Sequence, residues 1–242
     1  MRVISPGPWP VAPTGRETGR AMLRRVLFPA AVLWVAVVGV GFLVVDVVAL
    51  DERAISEAFV DVRTPAMNTV TAVVSEMGNT QVLMATCLLV VVIVWWQTKQ
   101  WWFAMVPALA LGVEALVFLT ASIVVGRERP EVEQLDHAPP TSSFPSGHTG
   151  ASTAVYLAFA LCATRIQNAG LRVSVQVICV VVPVGVGLSR VYRGMHHPTD
   201  VIAGWAVGTT CALIAWSWLP LRDAAALAAR AEAPLTAGEG RP

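Results

Sequence analysis

An all-α bundle of six membrane-spanning helices is the fold class this sequence predicts, and three observations predict it. Of the 242 residues, 55% are hydrophobic and only 14% are charged, where a soluble domain carries about 25% charged residues. Valine, alanine and leucine fall in long unbroken runs, and six such runs are counted along the chain. The mean hydropathy is +0.63. A chain this apolar belongs in a bilayer, where each spanning segment must satisfy its own backbone N–H and C=O groups, as a helix does. The net charge of +1 and the lack of a basic block offer nucleic acid no surface. Cys87, Cys162, Cys179 and Cys211 each sit inside an apolar run, with neither CxxC nor metal-ligand spacing. They read as small packing residues.

Met1 to Arg25 is polar, rich in Pro, Gly and Arg, and reads as a disordered cytoplasmic segment. Residues 26–219 form the membrane domain, and 220–242 an Ala-rich cytoplasmic tail that does not pack. The first span is Val26 to Leu50, apolar apart from Asp46. It is longer than a signal-peptide core and lacks a convincing small-residue cleavage site. Asp51 to Gly78 is a long acidic loop in which Thr64 to Val74 can lie on the membrane surface as a short helix. The second span, Gln81 to Trp96, ends at a turn holding Lys99. The third, Trp101 to Val125, is interrupted only by Glu114. After the polar loop Gly126 to Pro145, the fourth runs from Ser146 to Ala163, the fifth from Val173 to Leu188 and the sixth from Asp200 to Leu219. Trp95, Trp96, Trp101 and Trp102 flank the Lys99 turn like an interfacial aromatic belt.

Lys and Arg near span ends set orientation. The N-terminus, the Lys99 turn, the Arg165/Arg172 turn and the tail fall on one side, which is therefore cytoplasmic. Both termini lie inside. Arg127, Arg129, Arg190 and Arg193 gather on the other side against this bias, and anion binding explains them better than topology does.

The stretch Ser143-Phe144-Pro145-Ser146-Gly147-His148 is a polar turn opening into an apolar run. The first N–H groups of a helix have no intrahelical partner, and with the helix dipole they make a place for an anion. Two further segments reach the same face: Gly126-Arg127-Glu128-Arg129-Pro130, and Ser189 to Asp200. Arg supplies a planar cationic fork for phosphate oxygens. His148 and His196 supply a nucleophile and a general acid, and Asp200 a carboxylate to orient an imidazole. A metal held by His196, His197 and Asp200 is disfavoured by Pro198 between them. Tyr192 and Arg193 read as interfacial anchors or head-group contacts, and His137 as a loop residue without a role. Glu114 is expected to face the bundle interior and pair with a polar group there. Asp46 lies near an outer helix end.

These segments resemble the signature motifs of the type 2 phosphatidic acid phosphatases, the PAP2 or lipid phosphate phosphatase superfamily, which includes the vanadium haloperoxidases. The pattern is Lys-x6-Arg-Pro, Pro-Ser-Gly-His and Ser-Arg-x5-His-x3-Asp. The second motif is complete at Pro145 to His148 and the third at Ser189, Arg190, His196 and Asp200. The first keeps Arg129-Pro130, but Ser122 stands at the lysine position. The resemblance implies a PAP2/haloperoxidase-like core. It implies a phosphatase with no cofactor and no metal, acting at the extracytoplasmic face of the cell membrane on a lipid phosphate or diphosphate of isoprenyl, phosphatidic acid or phosphatidylglycerophosphate type. His196 would attack phosphorus, Asp200 would orient it, and His148 would protonate the leaving group and then activate water. Arg129, Arg190, Ser146 and Gly147 would hold the phosphoryl oxygens, with Arg127 restoring the charge of the missing lysine. Lipid-dependent phosphotransfer and non-catalytic anion binding remain the alternatives.

Overall fold

The computed structural model of the chain describes residues 2–5, 12–48, 52–137 and 141–219, with the side chains of 46–48 excepted. Asp46 as a side chain and the tail 220–242 therefore lie outside the described residues. Within them the architecture is helical, apart from an isolated bridge between Ile4 and Ile166. The helices are α1 (Gly15–Ala21), α2 (Phe28–Phe42), α3 (Arg53–Asp61), α4 (Pro65–Glu76), α5 (Thr80–Thr98), α6 (Trp101–Ala104), α7 (Val106–Val125), α8 (Gly147–Ala163), α9 (Ala169–Tyr192) and α10 (Pro198–Ser217).

The polar N-terminal segment departs from the expectation of disorder. Thr14 accepts the Glu17 N–H, and the Glu17 carboxylate accepts the Thr14 N–H at 2.8 Å. This capping box starts α1. The helix then runs on through π-helical turns at Met22–Leu27 and Leu43–Val48. Two other boundaries also shift. The third span breaks at Met105, where Pro107 opens α7 and leaves Trp101–Ala104 as a separate turn. The expected surface helix is α4, capped by Thr64, and α3 precedes it.

Among the described residues five helical runs are long and apolar enough to cross a membrane: Gly15–Val45, Thr80–Thr98, Val106–Val125, Ala169–Tyr192 and Pro198–Ser217. The expected fourth span, α8, has 17 residues and is the bundle's centre. It packs on α5, α7, α9 and α10. Glycines make the α8–α10 approach possible. A Cβ on Gly204 would stand 2.9 Å from the Ser146 carbonyl oxygen, and one on Gly208 would overlap the Gly150 carbonyl oxygen. Small residues at a helix crossing bring backbones together in this way. Outward faces of α2, α5 and α9 expose Val32, Val35, Leu88, Leu89, Val180 and Val181 to the bilayer. Trp95, Trp96 and Trp101 also face out, but Trp102 is a core residue, 4% exposed, whose carbonyl accepts Trp218 Nε1. The four cysteines are buried and unbridged.

The two ends of the bundle differ. At one end residues 3–5 strap across the turns: Val3 N–H donates to Gln97 and Ser5 N–H to the Arg165 carbonyl. Arg25 donates to the Leu219 carbonyl there. The other end gathers the C-termini of α7 and α9, the N-termini of α8 and α10, and the α3–α4 pair.

Candidate active site

Gly126, at φ +65°, ends α7 in a left-handed cap and turns the chain into a loop that crosses the bundle end. Arg129 on this loop donates to the Met195 carbonyl at 2.7 Å. The loop then reaches Ser143, whose N–H donates to the Arg127 carbonyl, and enters α8 through a cis Phe144–Pro145 peptide. From the other side, Gly194 at φ +71° ends α9 and swings His196 inward. His196, His148, Arg129, Arg190, Gly147, Thr141 and Ser142 line one cavity of about 330 Å³, whose deeper wall is Leu111, Glu114, Ala115, Phe118, Leu119 and Ala151. A shallow apolar dent on α3, lined by Ala54, Ile55, Ala58, Phe59 and Val62, holds no titratable group.

His196 is 4% exposed and its Nδ1 lies 2.8 Å from the Ser143 carbonyl oxygen. A carbonyl only accepts, so Nδ1 carries the proton and Nε2 keeps its lone pair. Asp200, expected to orient His196, reaches it through Ser143. Asp200 Oδ2 stands 3.7 Å from Nδ1, outside hydrogen-bond reach. Oδ2 is taken instead by Ser143 Oγ and, at 2.8 Å, by the His197 N–H, while Oδ1 accepts from Arg127. Asp200 thus holds Ser143, and the Ser143 carbonyl holds the imidazole. The carboxylate still lies close enough to favour a positive charge on His196.

Arg127 also departs from expectation. Its guanidinium is not on the cavity wall. It sits behind Asp200, donating to Asp200, to Thr199 Oγ1 at 2.7 Å and to Glu52 at 2.9 Å. Glu52, 6% exposed, also accepts the Thr199 N–H and hydroxyl at 2.9 and 2.6 Å. It therefore caps the first turn of α10 while neutralising Arg127. Arg127 thus faces Asp200, Thr199 and Glu52 and is absent from the cavity lining. Ser146 differs as well: its hydroxyl is paired with Thr149 at 2.9 Å and its N–H with the Asp200 carbonyl at 3.0 Å. That leaves the first-turn N–H groups of Gly147 and His148 for an anion. Ser122 is buried and bonded to the Leu119 carbonyl, so no side chain from that position reaches the cavity.

Arg190 does line the cavity. Its Nη1 donates to Ser75 and Asp136, and its buried Nε has no partner among the described residues. Asp136 also accepts two hydrogen bonds from Arg193. Burial alone would raise the Asp136 carboxyl, but the Arg193 hydrogen bond and the charges of Arg190 and Arg193 outweigh it and hold it below the usual range. Arg193 further donates to Asn68 and Thr71, and Tyr192 donates to Asn68. Both are buried struts between α4 and the loop, not interfacial anchors. Burial lowers His196 below its ordinary 6.5; the Asp200 charge pulls it back and the Arg190 and Arg129 charges push it further down. Burial likewise lowers Arg129, with Asp200 opposing. Glu114 does face the interior, but among the described residues it finds no polar partner.

Residues 101–224 match the PAP2 superfamily. The chain belongs to that superfamily. It is 30% identical over 159 residues to phosphatidylglycerophosphatase B of Bacillus subtilis, covering 65% of this chain and 77% of that one. It is 38% identical over 72 residues to lipid A 1-phosphatase of Rhizobium johnstonii, 30% of this chain and 26% of the relative. The crystal structure of the transmembrane PAP2-type phosphatidylglycerolphosphate phosphatase of Bacillus subtilis superposes with a TM-score of 0.67 at 25% identity, over 84% of this chain and 95% of that one. Two residues of this PAP2 site were not singled out from sequence, and a third, Ser143, was named only as part of its turn. Glu52 and Asp136 lie in loops and read as ordinary loop acids. Ser143 acts partly through its carbonyl, which no side-chain pattern reports.

Proposed function

We propose that this PAP2 protein is a membrane lipid phosphatase that hydrolyses the phosphate monoester or diphosphate of a lipid at the extracytoplasmic face, through a phosphohistidine. The observation that carries the reading is the His196 tautomer. With Nδ1–H on the Ser143 carbonyl, Nε2 is an unprotonated nucleophile in a cavity shared with His148, Arg129 and Arg190. In the first step Nε2 attacks phosphorus, the ester P–O bond breaks, and His148 gives its proton to the departing oxygen. The imidazolium formed at His196 is balanced by Asp200 at 3.7 Å. In the second step His148 takes a proton from water, the water oxygen bonds to phosphorus, and the P–N bond breaks. Arg129, Arg190 and the N–H groups of Gly147 and His148 stabilise the equatorial oxygens throughout.

The lipid character rests on the deeper apolar wall and on the named activities of the relatives. We read α8 as a sixth crossing, its 17 residues being near the lower length for a span. The Lys and Arg distribution supports cytoplasmic termini and an extracytoplasmic site. Partners are a lipid phosphate and the surrounding lipids. The test is phosphate release from phosphatidylglycerophosphate, phosphatidic acid and an isoprenyl diphosphate in detergent, beside His196→Ala. Labelled phosphate trapped on the wild type and absent from His196→Ala supports the covalent step. No release from any of these lipids overturns the reading.

A further inference from the structure

Among the described residues Glu114 is the one carboxyl group on the cavity wall, and the mechanism above does not use it. It is 2% exposed, and it meets no hydrogen-bond or charge partner among the described residues. An ionisable side chain within a membrane helix is costly and normally paired, so an unpartnered one aimed into a ligand cavity is a candidate contact for the ligand. The packing fixes its depth. On α7 Phe118 lies against Gly147, where a Cβ would come within 2.6 Å of the ring. Four residues earlier, Glu114 lies against Gly150, where a Cβ would overlap Oε1. Gly147 marks the level of the phosphate-holding N–H groups. Three residues along α8 at 1.5 Å rise put the carboxyl roughly 4.5 Å deeper. That is the level of the first two or three carbons beyond the phosphate ester. The walls beside it, Leu111, Ala115, Leu119 and Ala151, are hydrocarbon.

We propose that Glu114 is a specificity-determining residue that hydrogen-bonds an oxygen on the carbons next to the phosphate ester, and so selects phosphoglycerol-type lipids over phosphates carried on a plain hydrocarbon chain. This rests on the lipid-phosphatase reading and narrows it. A glycerol backbone carries a hydroxyl or acyl-ester oxygen at that depth. A hydrocarbon chain leaves the carboxyl buried and unpaired. A site built to hydrogen-bond its substrate rejects an analogue lacking the group far more strongly than an apolar pocket rejects an extra methylene. Gly150 gives the carboxyl its room, with no Cβ to push it aside.

The test pairs two single-chain substrates of equal length in the same detergent, 1-O-alkylglycerol 3-phosphate and an alkyl monophosphate, and reads the ratio of their kcat/KM. The wild type is expected to favour the glycerol phosphate by ~10-fold or more. In Glu114→Leu the ratio falls to within about threefold of unity, and Glu114→Gln, which keeps hydrogen-bonding capacity, retains most of it. A wild-type ratio near unity overturns the proposal even if the Leu variant fails to fold. So does an unchanged ratio in Glu114→Leu. Phosphate release from both substrates at equal kcat/KM leaves the phosphatase reading standing without the role for Glu114. Release from neither removes the phosphatase reading itself.

Discussion

Replacing Glu52 with Gln tests whether the site is held from behind by a buried charge relay. Glu52 lies outside the cavity, yet it accepts from Arg127 at 2.9 Å, from Thr199 N–H at 2.9 Å and from Thr199 Oγ1 at 2.6 Å. The Glu52 and Arg127 side chains are 6% and 10% exposed, so solvent cannot replace the lost partner. A carboxamide has one accepting end. If its oxygen faces Arg127, its NH2 opposes the Thr199 N–H, and one charge-assisted hydrogen bond becomes a donor–donor contact. Each such bond is worth about 1.5–3 kcal/mol. Adding the lost negative partner of Arg127, the variant should be destabilised by about 2–4 kcal/mol. Arg127 also holds Asp200, and Asp200 holds Ser143, whose carbonyl fixes His196. We therefore expect kcat to fall ~10-fold or more while KM stays within about twofold, since nothing on the cavity wall has changed. The assay is steady-state phosphate release together with thermal unfolding in detergent. Wild-type kcat and unfolding midpoint in Glu52→Gln would refute the relay. A raised KM with unchanged kcat would mean that Glu52 acts on the substrate instead.

Other expectations follow from the same geometry. His196→Ala should lose at least ~10³-fold in kcat with an unchanged unfolding midpoint, whereas residual activity within tenfold of wild type would move the nucleophile elsewhere. Because burial lowers His196 below 6.5, its neutral, nucleophilic form is complete above that value and is lost as pH falls through the lowered one; the acid limb of kcat/KM should have its midpoint below pH 6.5, and a midpoint above it contradicts the assignment. Asp136 is held below the ordinary carboxylate range, so its pairing with Arg190 and Arg193 stabilises the fold above its unfolded pKa of about 3.9 and is lost as pH falls through the depressed value; Asp136→Asn should flatten that acid loss in unfolding measured between pH 5 and 2. Gly208→Ala should destabilise the α8–α10 crossing by about 1–3 kcal/mol, because its Cβ meets backbone that cannot rotate away; an unchanged midpoint would mean the helices are further apart than the structure has them.

The apolar runs and the motif segments were legible in the sequence because each depends on local chemistry. Apolar runs set the helices, Thr64 and Asn79 start them, and Gly126 ends one. The motif segments singled out His148 and His196, and both line one cavity. Two local readings failed for reasons the sequence does not carry. Arg127 was expected to restore the charge of the missing lysine, but Asp200 and Glu52 claim its guanidinium. Trp102 sits beside three exposed tryptophans, yet it is buried, with its carbonyl accepting Trp218 Nε1.

Composition and the long unbroken apolar runs pointed to a membrane helix bundle, because backbone in hydrocarbon must be paired in helices or closed barrels and unbroken apolar runs suit helices. The motif segments singled out His148, His196 and Asp200. Tertiary structure alone decided how they are connected. Ser143 stands between Asp200 and His196, and Glu52 backs Arg127 across 75 residues of sequence. Both links depend on which atoms come within 3 Å once the helices have packed, and no residue pattern encodes a carbonyl's direction. The same packing left Glu114 unpaired on the cavity wall, where the sequence could offer only an acid in an apolar run.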